Sequence, residues 1–195
     1  GKRMELAPAE FVYFQKIPRL KRGMIITEKI DGTNAQIYIN DDCSTVLTGS
    51  RNRWITPEDD NVGFARWVSE HREELLQLGP GHHFGEWWGQ GIQRRYGLTE
   101  KRFSLFNTGR WNNNTPPPAC CSVVPVLFAG EFTTQNIDDI LEELRVYGSK
   151  AAPGFMNPEG IVVFHPQSKQ LFKVTLDDDA IPKSLADKAK AGVLV

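Results

Sequence analysis

The sequence is poor in the residues that stabilise secreted proteins and membrane spans. It has 3 cysteines in 195 residues, and Cys120 and Cys121 are adjacent. Neighbouring cysteines do not readily form a disulfide with each other, and an odd number leaves one unpaired. No apolar run approaches the roughly 18 residues of a membrane helix, and no apolar stretch follows the basic residues near the N-terminus as in a signal peptide. We therefore expect a soluble protein of a reducing cytoplasm, with no membrane partner.

Several common catalytic motifs are also absent. The chain has no Gly-x-x-x-x-Gly-Lys phosphate loop and no Gly-x-Ser-x-Gly nucleophile turn. Gly89 and Gly91 lack the third glycine of a dinucleotide-binding fingerprint. The histidine and cysteine pairs are adjacent rather than spaced as zinc ligands are. These absences argue against a P-loop enzyme, a Rossmann dehydrogenase, a serine hydrolase and a zinc site.

Charge of either sign is not in excess, since 23 basic and 24 acidic residues give a net charge of -1. A near-neutral sum argues against a nucleic-acid partner, because such proteins usually carry a basic excess. Basic side chains could still line one groove. Hydrophobic residues make up 40% of the chain and charges of both signs are mixed, which excludes wholesale disorder. The length corresponds to a single domain over residues 1–195.

The hydrophobic pattern predicts two helices and a larger number of short strands. One amphipathic helix begins after the acidic residues 58–60 and ends before Gly79, and a second runs from about residue 136 to 147. The strands are predicted in these segments: 24–40, as a strand, a turn and a strand, then 84–88, 103–106, 123–128, 161–165 and 170–176. Connections too short for helical crossovers favour antiparallel pairing, so we predict an α+β fold with mostly antiparallel sheets.

Lys29 is the first candidate for chemistry, because it ends a predicted strand in the segment KIDGTN (29–34). A lysine amine is normally protonated, and its use as a nucleophile requires neighbours that disfavour the ammonium. The same segment is also a good hairpin turn, and these six residues alone favour that simpler interpretation.

Further single charges recur inside or beside apolar strands. These are Arg51, Glu86, Glu159 and Lys173. A buried charge costs free energy unless it is paired or bound to a ligand. Each of these residues alone is typical of a solvent-facing strand position, but their recurrence together indicates a shared site for a polyanion and a metal ion.

Six segments in order resemble the motifs of the covalent nucleotidyltransferases, which comprise ATP-dependent RNA and DNA ligases and messenger-RNA capping enzymes. They are KIDGTN, SRNR, FGEWWG, RFSLFN, EGIVV and FKV, and they span residues 29–173. Asn34, at the end of the first segment, resembles the RNA-ligase-2 branch. The resemblance implies two mostly antiparallel sheets with flanking helices, a nucleotidyltransferase or ATP-grasp-like core, that enclose ATP.

The resemblance implies a catalytic role for three residues. Lys29 would attack the α-phosphate of ATP to form lysyl-AMP. Lys173 would contact the same phosphate and neutralise its charge. Glu159 would bind a divalent ion, Mg²⁺ or Mn²⁺, directly or through its waters.

The resemblance implies that other residues bind the nucleotide or the RNA end. They are Thr27 and Glu28 at the adenine edge, Phe106 and Val162 on the two faces of adenine, Glu86 and Arg51 at the ribose or phosphate, and Asn34 at the 5′-phosphate of the second substrate. Asp31 would orient the turn that follows Lys29.

Two features depart from the family pattern. Thr175 stands where ligases usually have a second lysine after Lys173, and threonine cannot supply that charge. About 22 residues follow Lys173, too few for an appended OB-fold, so we expect a stand-alone catalytic core. Basic residues of the core would then grip the RNA: Lys16, Arg19, Lys21, Arg22, Arg51, Arg53, Arg94, Arg95, Lys101 and Arg102.

The sequence therefore predicts an ATP-dependent RNA ligase that acts in RNA repair. It would join 5′-phosphate and 3′-hydroxyl ends of a nicked duplex or broken RNA, as a monomer, in the cytoplasm of a bacterial or phage-infected cell. A DNA ligase or capping-type guanylyltransferase core is one alternative. A nucleotide-binding module without ligase turnover, suggested by Thr175, is another.

Overall fold

Two sheets form the framework of the protein, for which a computed structural model describes residues 9–14 and 23–177. The strands of the four-stranded sheet are β1 (Gly23–Lys29), β8 (Val126–Glu131), β9 (Gly160–His165) and β10 (Gln170–Thr175). Their order is β10-β9-β1-β8, and this sheet is antiparallel throughout. The strands of the six-stranded sheet are β2 (Thr33–Ile39), β3 (Val46–Gly49), β4 (Trp54–Ile55), β5 (Gly81–Gly89), β6 (Lys101–Leu105) and β7 (Ser122–Val123). Their order is β4-β3-β2-β5-β6-β7.

The predicted α+β class with mostly antiparallel sheets is confirmed, since among the strand pairs of residues 23–177 only the short β6–β7 pair is parallel. The helices are α1 (Phe64–Glu70), α2 (Arg72–Leu75), which continues into a 3₁₀ turn at Leu76–Leu78, and α3 (Thr134–Tyr147). Within the described residues, no helix has both the length and the apolar character needed to cross a bilayer.

The sequence predicts one continuous helix that begins after residue 60 and ends before Gly79. This prediction is wrong, because the segment forms two helices. His71 separates α1 from α2, with φ -113° and ψ 19°. Its ring nitrogen Nδ1 lies 2.8 Å from the carbonyl oxygen of Trp67, so the side chain competes with the backbone for that acceptor. The hydrophobic periodicity continues across the break, because Phe64 and Leu75 both enter the core.

The strand predicted over 123–128 is also two elements. Pro125 lies between β7 and β8 and has no N–H to donate to a sheet. Val124 donates its N–H to the carbonyl oxygen of Leu105 in the six-stranded sheet (3.0 Å), whereas Glu28 of the four-stranded sheet donates to the carbonyl oxygen of Pro125 (3.0 Å). The chain therefore crosses from one sheet to the other at this proline.

Each sheet buries one face in its own core and leaves alternate residues on the other face. In β1, Met24, Ile26 and Glu28 are buried and their neighbours are half-buried. The four-stranded sheet packs on α3 through Ile137 and Leu141. The six-stranded sheet packs on α1 and α2. A third cluster that includes Ile30, Trp88 and Tyr96 lies where the chain passes between the two sheets.

Candidate active site

Lys29 and Glu159 form an ion pair at the end of the four-stranded sheet. Lys29 is the last residue of β1 and lies opposite Gly160, the first residue of β9, which Glu159 precedes. Nζ of Lys29 is 2.5 Å from Oε1 of Glu159, and the two side chains are 21% and 15% exposed. The structure thus brings together the predicted nucleophile and the predicted metal-binding carboxylate.

The sheet register places two further predicted residues near this pair. Val162 lies between Thr27 of β1 and Lys173 of β10, two register positions from Lys29, Gly160 and Thr175. Because every second residue of a strand points to the same face, Thr27, Lys29, Val162 and Lys173 share one face of the sheet. Lys173 is exposed on that face, and its cation can reach an anion bound there.

A hydrogen-bonded chain of three predicted residues lies on the six-stranded sheet. Asn34 of β2 is directly opposite Glu86 of β5. In the amide orientation that its neighbours favour, Nδ2 of Asn34 donates to Oε1 of Glu86 (3.0 Å), and Oδ1 accepts from Nε of Arg51 (3.1 Å). Oε2 of Glu86 also accepts from the backbone N–H of Gly32 (3.1 Å), three residues after Lys29. Glu86 therefore connects the hydrogen bonds of Arg51 and Asn34 to the turn that follows Lys29.

Burial raises the pKa of the Glu86 carboxyl from 4.5 to about 7, and the hydrogen bond from Gly32 and the charge of Lys29 oppose part of that effect. The nearby carboxylates of Glu159 and Asp31 act in the same direction as burial. Glu86 is 9% exposed. Its carboxyl consequently changes protonation near neutral pH.

Phe106 lies just after β6 and is 44% exposed. Its backbone N–H donates to the carbonyl oxygen of Phe84 (3.0 Å). Phe84 is 53% exposed and, by strand alternation, faces the same side as Glu86. Phe106 thus presents an open ring surface beside the Glu86 strand, as stacking on a base requires.

The Glu28 side chain points away from this face. It is 1% exposed, and its carboxylate accepts from Ser149 Oγ (2.6 Å) and from the backbone N–H groups of Lys150 (2.7 Å) and Ala151 (3.0 Å). These bonds anchor the loop that follows α3. Only the backbone of Glu28 remains beside Thr27, so the geometry gives no support to a nucleotide contact by the side chain. Strand alternation relative to Lys29 would have indicated this.

Arg94 is a residue whose place sequence reasoning missed. Its basic character places it among the cations expected to contact RNA, but its side chain is 17% exposed and donates to Asp31, Asn157, Pro158 and Asp177. Nothing in the sequence distinguishes it from Arg95.

Two other cations of that group are in ion pairs, Arg53 with Asp59 and Arg102 with Glu100. Four more lie outside the described residues: Lys16, Arg19, Lys21 and Arg22.

Glu159 fits a role in holding a divalent ion. Within residues 9–14 and 23–177, no group of three histidine, cysteine, aspartate or glutamate side chains could enclose a metal. In the same part of the chain, Oε2 of Glu159 is buried and accepts no hydrogen bond. Mg²⁺ commonly binds one or two carboxylates together with substrate phosphates and water. A single carboxylate with one uncommitted oxygen suits that mode of binding.

Comparison with known proteins identifies relatives of this arrangement. The family model described as RNA ligase matches residues 22–175. A search of curated proteins finds no match. A solved structure of a Naegleria gruberi RNA ligase mutant with AMP and Mn has a TM-score of 0.59 and 20% identity, and the alignment covers 84% of this chain and 52% of that one.

Two further structures of the same Naegleria gruberi ligase are similar. A mutant with ATP and Mn has a TM-score of 0.58, 20% identity and coverage of 86% and 53%. The ligase with PPi has a TM-score of 0.58, 19% identity and coverage of 85% and 52%. This chain therefore spans about half the length of those ligases and shares their fold.

Proposed function

The chain belongs to the RNA ligase family, and we propose that it uses ATP to join RNA 5′-phosphate and 3′-hydroxyl ends through a lysyl-AMP intermediate. The observation that carries this proposal is the position of Lys29. Its amine lies 2.5 Å from Glu159 and on the same sheet face as Lys173. A lysine, an acidic partner and a second cation are the groups that nucleotidyl transfer to a lysine requires.

The first step is attack of Lys29 Nζ on the α-phosphorus of ATP. The N–P bond forms, the bond to the bridging oxygen breaks, and pyrophosphate leaves. Lys29 must lose a proton before its nitrogen can attack, and Glu159 is the carboxylate placed against that nitrogen. Lys173 would stabilise the charge on the phosphate oxygens. A divalent ion held by Glu159, Mg²⁺ or Mn²⁺, would neutralise phosphate charge when bound.

The nucleotide would be held by residues of both sheets and of the loops that follow their strands. Phe106 would stack on adenine opposite Val162, with Thr27 at the adenine edge. Glu86 would accept hydrogen bonds from the ribose hydroxyls, and Arg51 would bind ribose or phosphate.

The second substrate would complete the reaction in two transfers. AMP passes from Lys29 to the RNA 5′-phosphate, which Asn34 and the adjacent Arg51 would bind. The RNA 3′-hydroxyl then attacks that phosphate, a phosphodiester bond forms and AMP leaves. We propose a nicked duplex or broken RNA as the substrate and a monomeric, cytoplasmic enzyme.

The test is covalent labelling. The protein, stripped of bound AMP, is incubated with Mg²⁺ and ATP labelled at the α-phosphate, and we expect a covalently labelled protein whose nitrogen–phosphorus bond withstands alkali and is cleaved by hot acid. Lys29→Ala should abolish the label and Glu159→Ala should remove metal-dependent labelling without unfolding the chain, whereas Lys150→Ala, at an exposed lysine behind the sheet, should label as the wild type does. An unlabelled wild type would overturn the proposal, and full labelling of Glu159→Ala would overturn the role of that residue.

A nucleotide-binding module without turnover is a second candidate, because Thr175 supplies no cation opposite Gly160. Labelling that is followed by no sealing of nicked RNA would favour this candidate. The same assay with labelled GTP, and with nicked DNA in place of RNA, distinguishes a capping-type guanylyltransferase and a DNA ligase.

A further inference from the structure

We infer that Arg94 is a positioning residue that fixes three segments of the active site relative to one another. This inference rests on the proposed function, because the segments carry Lys29, Glu159 and Lys173. Arg94 lies in the loop between β5 and β6 of the six-stranded sheet, whereas all three residues belong to the four-stranded sheet or its connections.

The guanidinium of Arg94 uses all three of its nitrogens. Nε donates to Oδ2 of Asp31 (3.0 Å). Nη1 donates to the carbonyl oxygens of Asn157 (3.1 Å) and Pro158 (3.2 Å), and Nη2 donates to Asp177. One side chain therefore contacts residues from three separate parts of the sequence.

Each contact lies within a few residues of a group assigned to the chemistry. Asp31 is two residues after Lys29, and Pro158 directly precedes Glu159. Asp177 follows the end of β10, four residues after Lys173. The pairing of β1 with β9 ends at Lys29 and Gly160, so the ladder itself does not extend to Asp31 or Pro158. Arg94 thus restrains the chain where sheet hydrogen bonds stop.

The loop that presents Arg94 has an unusual backbone. Gln93, Arg95 and Tyr96 have φ of 45°, 64° and 53°, a left-handed region that disfavours residues other than glycine by about 1–3 kcal/mol each. Surrounding contacts hold the loop in this conformation. Tyr96 is 2% exposed, its ring packs on Trp88 with centroids 5.0 Å apart, and its hydroxyl accepts from the N–H of Asp31 (2.7 Å).

Arginine suits this position better than lysine does. Its planar guanidinium carries five N–H donors in a fixed arrangement, and it can bind two carboxylates and two carbonyls at once. Lysine keeps the charge but concentrates three donors on one nitrogen. Arg94→Lys therefore tests the geometry of the contacts separately from their charge.

The experiment measures single-turnover formation of lysyl-AMP over a range of ATP concentrations. Displacement of reacting groups by about 1 Å can reduce a rate about 100-fold. For Arg94→Lys and Arg94→Ala we expect the rate constant at saturating ATP to fall at least about tenfold. The apparent Kd for ATP should change by less than about threefold, because no adenine or ribose contact is removed.

Arg110→Ala is the matched control. Arg110 is another arginine in structural contacts, since its Nη2 donates to the carbonyl oxygen of Leu78 (2.7 Å) and its guanidinium lies over the Trp111 ring. We expect this variant to have a lower free energy of unfolding, measured by urea denaturation. Its rate constant for lysyl-AMP formation should stay within about twofold of the wild-type value.

Wild-type labelling kinetics in Arg94→Lys would overturn the inference and leave the proposed function intact. A loss of ATP affinity that accounts for the whole loss of rate would also overturn it, because that result indicates general damage to the site. If Arg94→Ala does not fold, Arg94→Lys decides the question. Failure of the proposed function itself is distinguishable, since the wild type would then not label at all.

Discussion

Glu86 makes the stability of the protein depend on pH in a predictable direction. Its carboxyl is 9% exposed and its pKa is raised from 4.5 to about 7, chiefly by burial. Below pH 4.5 the carboxyl is protonated in both the folded and the unfolded chain. Between pH 4.5 and about 7 the unfolded chain releases a proton that the folded chain retains. The contribution of Glu86 to the free energy of unfolding therefore falls as pH rises through this range and is fully lost above it.

The magnitude follows from the difference between the two pKa values. A pKa difference of one corresponds to about 1.4 kcal/mol, so this change corresponds to about 3 kcal/mol in total. Replacing Glu86 with glutamine removes the titration and keeps a carbonyl oxygen that can accept from Gly32. Glu86→Gln does not lose this contribution as pH rises. The difference in unfolding free energy between Glu86→Gln and the wild type should therefore shift by about 3 kcal/mol in favour of the variant as pH rises from 4.5 to 8.

Urea denaturation monitored by tryptophan fluorescence measures this difference, since Trp87 and Trp88 lie next to Glu86 in the core. The wild type, Glu86→Gln and Glu142→Gln are compared at a series of pH values. Glu142 is 60% exposed on α3, and its variant should follow the wild-type curve. Parallel pH curves for the wild type and Glu86→Gln would show that folding does not shift the titration of Glu86.

Two substitutions test how the site is supported. Glu28→Gln replaces a carboxylate that accepts three hydrogen bonds with an amide whose NH₂ would face donors, and it should reduce the free energy of urea unfolding by about 1–3 kcal/mol; unchanged stability would contradict the anchoring role. In Gly160→Ala, the added Cβ would lie 2.1 Å from the carbonyl oxygen of Val174. That variant should lose about 1–3 kcal/mol and label more slowly because β10 carries Lys173, whereas Gly23→Ala, with its nearest neighbour 3.9 Å away, should do neither.

The sequence pattern indicated several charged residues that the structure places close together, but not the direction of the Glu28 side chain. Lys29, Glu86 and Glu159 are charges in apolar segments, and such charges require a partner that the fold provides. Strand alternation then explains why Lys29 and Lys173 share a face. The periodicity of α3 was equally informative, although the helix begins at Thr134, where Thr133 accepts from the N–H of Asn136 (3.0 Å).

The features that sequence reasoning missed depend on contacts between distant segments. Arg94 and Asn157 are 63 residues apart, and no local pattern indicates that the β5–β6 loop reaches the start of β9. The break at His71 is different, because it depends on a local contact of the His71 ring with the carbonyl oxygen of Trp67, four residues earlier. Pro125 was a visible signal for the division between β7 and β8, because proline cannot donate to a sheet.

Lys29 is assigned as the nucleophile, and the residue to which AMP becomes attached is the most direct test of that assignment. The protein is incubated with ATP and Mg²⁺, digested, and its peptides are analysed by mass spectrometry for an attached AMP. We expect AMP on Lys29 alone, with Lys173 unmodified because its role is to contact the phosphate. AMP on Lys173 or on another residue, or no AMP on any peptide of the stripped wild-type protein, would show that Lys29 is not the nucleophile.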